Sequence, residues 1–180
     1  MKKIQFLIAF CSILLMNCAK EEVEIPINLG VFTIESSGVV NGVLDKKYTC
    51  DGQSFAPPLS WKNIPTGTKS FAVLMHHIPP TGDKHVYYVV YKLASAVNSI
   101  PENNTTIGSF GINTVNGKNS YSSPCSQGPG TKIYIITAYA LSAEPIIPAA
   151  TTKVTMDIIL DAIKSTTLAK SELSVTYTRQ

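Results

Sequence analysis

The chain has 180 residues, 44% of them hydrophobic and 15% charged, with a formal net charge of +3. This length is typical of one domain with a substantial core, and the composition excludes an intrinsically disordered chain. Lys2 and Lys3 lie in an N-terminal leader, so the rest of the chain carries 3 − 2 = +1. A nearly neutral domain does not attract polyanions, and we expect no nucleic-acid partner.

The N-terminus predicts an export signal. Two lysines precede an apolar run, Ile4 to Met16. The run is too short to span a bilayer comfortably but suits the hydrophobic region of a signal peptide. It ends in Leu15-Met16-Asn17-Cys18, which loosely resembles a bacterial lipoprotein signal, in which the cysteine becomes the lipidated N-terminus.

We therefore expect residues 1–17 to be a lipoprotein-type signal peptide, 18–29 a tether and 30–180 the folded domain. Acyl chains on Cys18 would anchor the domain to a membrane, each buried CH₂ contributing about 0.8 kcal/mol. The expected location is the bacterial cell envelope, at the outer membrane or the periplasmic face. The alternative is an ordinary cleaved signal with an incidental Cys18, which would give a secreted protein.

The first part of the domain predicts one short strand and one stiff loop. Val31 to Ile34 is a β-branched and aromatic run, and a Ser-Ser-Gly turn follows it. The stretch Tyr48 to Trp61 reads YTCDGQSFAPPLSW. Asp51-Gly52 favours a tight turn, and Pro57-Pro58 cannot lie inside a central strand. This stretch is expected to form a rigid wall that leads the chain into the core.

The middle of the chain predicts paired strands and a long loop. Ser70 to Met75 and Val86 to Tyr91 are apolar runs joined by a Pro/Gly loop, which indicates neighbouring strands. Residues 99–123 are rich in Asn, Gly, Ser and Thr and predict an irregular excursion. Ile133 to Leu141 is the most continuous apolar run and predicts a central strand buried on both faces.

The C-terminal part predicts one helix and a last strand. The apolar residues fall at helical spacing behind a candidate N-cap, Thr155; they are Met156, Ile159, Leu160 and Ile163. A strand of alternating residues follows, with Leu173, Val175 and Tyr177 on one face. The fold class is therefore mainly β (α+β).

Several of these stretches resemble the phosphatidylethanolamine-binding protein family, in particular its bacterial Raf-kinase-inhibitor-like branch. They are Thr-Cys-Asp-Gly at 49–52, Pro-Pro-Leu-Ser-Trp at 57–61, the run 64–72, Thr-Leu-Ala-Lys at 167–170 and the ending Tyr177-x-Arg179. The resemblance implies a large central β-sheet packed on a smaller one, with few helices, and a small anion pocket formed by loops at one end. Together with the helix predicted above, this gives one C-terminal helix, and we expect no cofactor.

The family's first pocket segment reads Asp-Pro-Asp-Ala-Pro before Thr-Gly. Aligned on Pro80-Thr81-Gly82, this chain has His76 at the first aspartate and Ile78 at the second. In the second segment, aligned on a Val-Val-Tyr strand, Tyr87 takes the family's histidine position and His85 lies two residues earlier.

In the third pocket segment Pro124, Cys125 and Tyr134 match the family, while Lys132 replaces its histidine and Ile133 its arginine. A lysine suits phosphate or carboxylate, so an anion remains an expected ligand. The candidate ligand-binding residues are His76, His85, Tyr87, Pro124, Lys132, Tyr134 and Asp51. Each also has a structural interpretation: solvated loop histidines, a surface lysine, core tyrosines and, for Asp51, a turn.

The cysteines and histidines leave further alternatives. Cys50 and Cys125 either form one disulfide or remain buried thiols, since the sequence does not fix their separation. Histidines 76, 77 and 85 raise a metal site, but their spacing matches no defined motif, so we expect none. No nucleophile elbow, phosphate-binding loop or HExxH motif is present, and we expect no enzyme activity.

The sequence thus predicts an exported binding protein for a small anion or a phospholipid headgroup, held at a membrane by its lipid anchor. Members of the family are also reported as protease or kinase inhibitors. The first alternative is therefore a protein-interaction module, with a peptidase as the partner. The second is a degenerate scaffold that binds no ligand, because a fold alone does not specify a function.

Overall fold

The computed structural model describes residues 30–80, 82–125 and 130–179. The leader, the tether and Cys18 lie outside this part. The strands are β1 (Thr33–Glu35), β2 (Val39–Val40), β3 (Val43–Leu44), β4 (Leu59–Lys62), β5 (Ser70–His77), β6 (His85–Ala94), β7 (Ser99–Ile100), β8 (Ser109–Phe110), β9 (Thr131–Leu141) and β10 (Thr167–Thr178). The helix α1 spans Met156–Ile163, and a 3-10 turn spans Lys46–Tyr48.

The strands form two sheets, which confirms the expected fold class. Seven strands form the larger sheet in the order β2-β3-β10-β9-β5-β6-β8, and three form the smaller one in the order β1-β4-β7. β5 and β6 are antiparallel neighbours, as their sequence predicts. No helix in the described ranges is long and apolar enough to cross a membrane.

Strand β9 lies between β10 and β5, as expected of a central strand. It begins two residues before the predicted run, and its first residues are not buried on both faces, since Ile133 is 55% exposed. From Tyr134 onward the strand is covered more fully, because side chains from both sides of the large sheet pack on it.

Helix α1 is confirmed with its predicted cap. The Thr155 hydroxyl accepts a hydrogen bond from the Ile158 backbone N–H at 3.3 Å, which pairs an amide that the first helical turn leaves open. Met156, Ile159 and Ile163 pack on one face of the large sheet. The last strand begins at Thr167, earlier than predicted, because it pairs with β9 as far as Leu141.

The main core lies between the two sheets. Trp61 and Phe71 pack with ring centroids 5.1 Å apart, and the Trp61 indole N–H donates to the Val97 carbonyl oxygen at 3.1 Å. Both side chains are buried. Truncating an aromatic side chain in such a core typically costs about 3–5 kcal/mol. Trp61 therefore reports on folding.

A bulge in β6 shapes one end of this core. Met75 pairs with Tyr88 and His76 with Val86, so Tyr87 is an extra residue in β6. As a result Tyr87 and Tyr88, although consecutive, both belong to the core between the sheets. The bulge thereby adds one aromatic ring to this end of the sandwich.

Candidate functional site

Four aromatic rings meet at the end of the large sheet, contributed by β5, β6 and β9. The His77 ring lies 6.5 Å from that of His85 and 5.4 Å from that of Tyr134, and Tyr134 lies 5.3 Å from Tyr87. We call these four residues the ring cluster. His85 is exposed, whereas His77 is 8% and Tyr134 0% exposed, so the cluster leads from the surface into the core.

The hydrogen bonding of His77 assigns its tautomer. Its Nδ1 lies 2.7 Å from the Ile133 carbonyl oxygen. A carbonyl oxygen can only accept, so Nδ1 carries a hydrogen and donates it. The other ring nitrogen, Nε2, accepts a hydrogen bond when the imidazole is neutral and donates one when it is protonated. His77 can therefore respond to the charge of a bound group.

The Tyr134 hydroxyl is the polar atom that most needs a partner. It is buried, and within the described ranges it has no hydrogen bond. Burial, followed by the neighbouring Tyr87 phenol, raises the pKa of Tyr134 well above its ordinary value. The group therefore stays protonated at all physiological pH values and can donate. A buried hydroxyl without a partner costs about 1–3 kcal/mol.

One wall of the site joins two distant segments. Cys50 and Cys125 form a disulfide with Cα atoms 5.2 Å apart. Beside it the Cys50 N–H donates to the Pro124 carbonyl oxygen at 3.1 Å, and the Ser122 N–H donates to the Tyr87 carbonyl oxygen at 2.8 Å. The stiff loop that the sequence predicts is therefore tied to the segment over Tyr87. Pro124 contributes through its backbone.

Asp51 braces the chain terminus. Its carboxylate accepts from the Tyr177 hydroxyl at 2.7 Å and from Arg179 Nε at 3.1 Å. The Tyr177 hydrogen bond, ahead of the Arg179 charge, lowers the pKa of Asp51. The carboxylate lines a separate surface cleft with Lys46 and Thr178. Its contacts assign Asp51 to structure and not to the ring cluster.

Lys132 lies on the inner face of β9. It precedes Tyr134 by two residues, so both side chains leave the strand on the same side. It is half-buried and pairs across the sheet with Tyr177. Of the predicted ligand-binding residues, the structure thus places Lys132, Tyr134, Tyr87 and His85 at the same end of the inner face.

His76 requires a correction. β5 pairs regularly with β9 up to His76, so its side chains alternate strictly. Met75 belongs to the core between the sheets and Leu74 to the cluster under α1. His76 therefore faces the helix side, away from Tyr134, and His77 takes the expected place. A metal site formed by His76 and His85 is excluded for the same reason.

The surroundings of His76 differ from those of His77. Its Nδ1 is buried and has no hydrogen-bond partner among the described residues. Burial, then the Lys84 charge, lowers the pKa of His76. The described ranges contain no group of three or more His, Cys, Asp or Glu side chains that could hold a metal ion.

The sequence analysis did not name two side chains at this end, His77 and Tyr121, as candidates for ligand binding. His77 was recoverable by counting alternate residues from Phe71, because strand parity is reliable where a ladder is regular. Tyr121 was not assigned a role; its hydroxyl donates to the Tyr48 carbonyl oxygen at 2.6 Å, and its ring packs edge-on against Tyr88 at 5.4 Å. The sequence carries no signal for that contact, because both partners lie in irregular or bulged backbone.

Two packed sheets with an aromatic and imidazole site at one end define a class of β-sandwich proteins. Residues 35–178 match the family described as phosphatidylethanolamine-binding protein, and the chain belongs to this family. The resemblance seen in the sequence is thereby confirmed.

Particular relatives agree with this assignment. A UPF0098 protein of Chlamydia muridarum is 30% identical over 139 residues, which cover 74% of this chain and 89% of the relative. A solved phosphatidylethanolamine-binding protein homologue from Chlamydia trachomatis has a TM-score of 0.75 at 26% identity, covering 83% of this chain and 99% of that one. Escherichia coli YbcL has the same fold, with a TM-score of 0.73 at 22% identity, covering 84% and 100%.

Proposed function

We propose that this protein binds a small anion of the phosphate class, such as a phosphomonoester headgroup, at the ring cluster. The observation that carries the proposal is the buried Tyr134 hydroxyl, which makes no well-formed hydrogen bond among the described residues and has the Tyr87 phenol as its polar neighbour. Buried polar groups are normally paired, so an unpaired donor beside two imidazoles favours a site that a ligand completes.

The chemistry of the neighbouring side chains favours an anion. Tyr87 and Tyr134 offer hydroxyl donors, since burial raises the pKa of both phenols. Nδ1 of His77 is engaged with the Ile133 carbonyl oxygen, so Nε2 is the ring nitrogen that would meet a ligand. Lys132 supplies a positive charge on the same face. Charge-assisted hydrogen bonds of this kind are stronger than those between neutral groups.

The Asp51 carboxylate does not oppose an anion at the ring cluster. Asp51 is engaged by Tyr177 and Arg179 and lines a different cleft. The name of the solved Chlamydia trachomatis homologue refers to phosphatidylethanolamine, and this supports phosphoethanolamine as the first organic ligand to try. We also propose export and anchoring through Cys18, and incorporation of labelled palmitate into the wild type but not into Cys18→Ala tests this separately.

The test is a titration of the protein with inorganic phosphate and with phosphoethanolamine, followed by thermal unfolding and by calorimetry. A ligand that binds only the folded state raises the melting temperature by mass action. Tryptophan fluorescence monitors unfolding, because Trp61 lies in the core. Equal effects of the two ligands would indicate that the phosphate group alone is recognised.

Adjacent histidines provide the matched control. His77→Ala is expected to weaken binding at least about tenfold, whereas His76→Ala, on the opposite face, leaves it unchanged. Lys132→Ala is compared in the same way with Lys164→Ala at the C-cap of helix α1. If neither ligand binds at millimolar concentration, or if both histidine variants lose the same affinity, the proposal is wrong. The interaction module or the degenerate scaffold would then take its place.

A further inference from the structure

The outer edge of β10 is a long strand edge that the fold leaves open. β10 has 12 residues and pairs along its length with β9. On its other side β3 pairs with it at Thr176, and within residues 30–80, 82–125 and 130–179 no other strand pairs with that side. Such an edge presents unpaired backbone donors and acceptors to another strand.

The backbone groups that face this open edge can be identified. The Thr176 N–H donates to the Gly42 carbonyl oxygen at 2.7 Å, so Thr176 directs its peptide groups away from β9. The direction in which the backbone N–H and C=O groups point alternates from one residue to the next along a strand. The register of β10 with β9 is regular from Ala169 to Thr178. The outward-facing residues are therefore Lys170, Glu172 and Ser174.

We propose that this edge binds a second copy of the same chain, antiparallel, about a two-fold axis at Ser171. In this register Lys170 lies directly opposite Glu172 of the second copy, and Glu172 opposite its Lys170. Both members of each pair direct their N–H and C=O groups outward, so each pair can exchange two backbone hydrogen bonds. The contact is isologous, as a closed dimer requires.

Charge selects this register over its neighbours. An axis at Glu172 would place two glutamates opposite each other, and an axis at Lys170 two lysines; like charges directly opposite are destabilising. Within one chain Lys170 Nζ and Glu172 already lie 3.1 Å apart, with their side chains 61% and 49% exposed. In the dimer the four charges alternate in sign. On the inner face, Ala169 would lie opposite Leu173 of the second copy.

The experiment is sedimentation equilibrium of the full chain as wild type, Lys170→Glu, Glu172→Lys and Lys164→Glu. The wild type is expected to dimerise. Each single edge variant places like charges opposite each other twice, so its dimer should be weaker by about tenfold or more. Lys164→Glu makes the same charge change at the C-cap of helix α1 and should dimerise like the wild type.

A mixture of the two edge variants provides a decisive further test of the dimer. Lys170→Glu brings two acidic positions and Glu172→Lys two basic ones, so an equimolar mixture should form a heterodimer although each variant alone does not. The double variant with both changes should regain self-association. Circular dichroism of every variant checks that it is folded.

A wild type that remains monomeric at millimolar concentration would overturn the proposal, and an extended segment of another protein would then be the occupant to seek. Dimerisation that neither edge variant weakens would also overturn it, because the contact would then lie elsewhere.

Discussion

His76 and His77 are neighbours in the chain with the same side chain, yet they lie in different environments. His77 lies between the sheets, where its Nδ1 is bonded to a carbonyl oxygen and its ring contacts Tyr134 and His85. His76 lies on the helix side, with a buried nitrogen that has no partner among the described residues. Strand alternation alone makes one a candidate ligand group and the other a structural residue.

The largest expected effect concerns the disulfide-linked wall beside Tyr87. Replacing Cys50 and Cys125 by serine removes the covalent link between two segments that are 75 residues apart in the chain. We expect the free energy of unfolding to fall by about 2–5 kcal/mol and anion binding to be lost. Urea denaturation measures the first effect. Two thiols detected in the unfolded, unreduced wild type by Ellman's reagent, beyond those of Cys11 and Cys18, would contradict the disulfide.

A smaller effect separates ligand binding from stability at Tyr134. Tyr134→Phe keeps the ring and removes the unpaired hydroxyl. The free protein should become more stable by about 1 kcal/mol, since an unsatisfied buried group is removed. Affinity for phosphate should fall about tenfold. Denaturation without ligand tests the expected gain in stability, and calorimetry with phosphate tests the expected loss of affinity. A variant that loses stability would show that the hydroxyl is already paired.

The environment of His76 predicts a pH dependence. Its pKa is lowered in the folded state, so the unfolded chain binds the proton more readily. Stability due to the neutral imidazole is present above about pH 6.5, the ordinary value, and is lost as the pH falls towards the folded pKa. His76→Gln should flatten the stability curve between pH 7.5 and 5 by at most about 1 kcal/mol. Parallel curves for both proteins would reject this explanation.

The smallest effect concerns the brace at Asp51. Its pKa is lowered in the folded state, so its contribution is present above about pH 3.9 and is lost as the pH falls through the folded value. Asp51→Asn should lower the melting temperature slightly at pH 7, and the difference should vanish near pH 2. Phosphate affinity should not change. Loss of affinity in this variant would return Asp51 to the site.

The sequence placed two residues of the ring cluster at this end of the sheet. Tyr134 and Tyr87 both follow from their alignment with the family's pocket segments. His77 was missed because the alignment was anchored on the Pro-Thr-Gly end of a loop. Loop length can vary without cost to the sheet, whereas β5 is fixed by ladders on both sides. Counting alternate residues from Phe71 would have assigned His77.

Other features were beyond sequence reasoning for physical reasons. The bulge at Tyr87 depends on the register with Met75 and His76, which a single strand does not specify. The disulfide depends on a Cα separation set by the whole fold. The architecture was easier to predict, because the apolar periods of β9 and α1 are long.

The link between Cys50 and Cys125 has a consequence for where the protein can work. In a reducing compartment the two cysteines stay as reduced thiols. The two segments would then lose their fixed spacing, although the hydrogen bonds between the strands would persist. Capture of a ligand would then depend on delivery of the chain to an oxidising compartment. With the export that we propose, the site would become able to bind its ligand only after the bond has formed in that compartment.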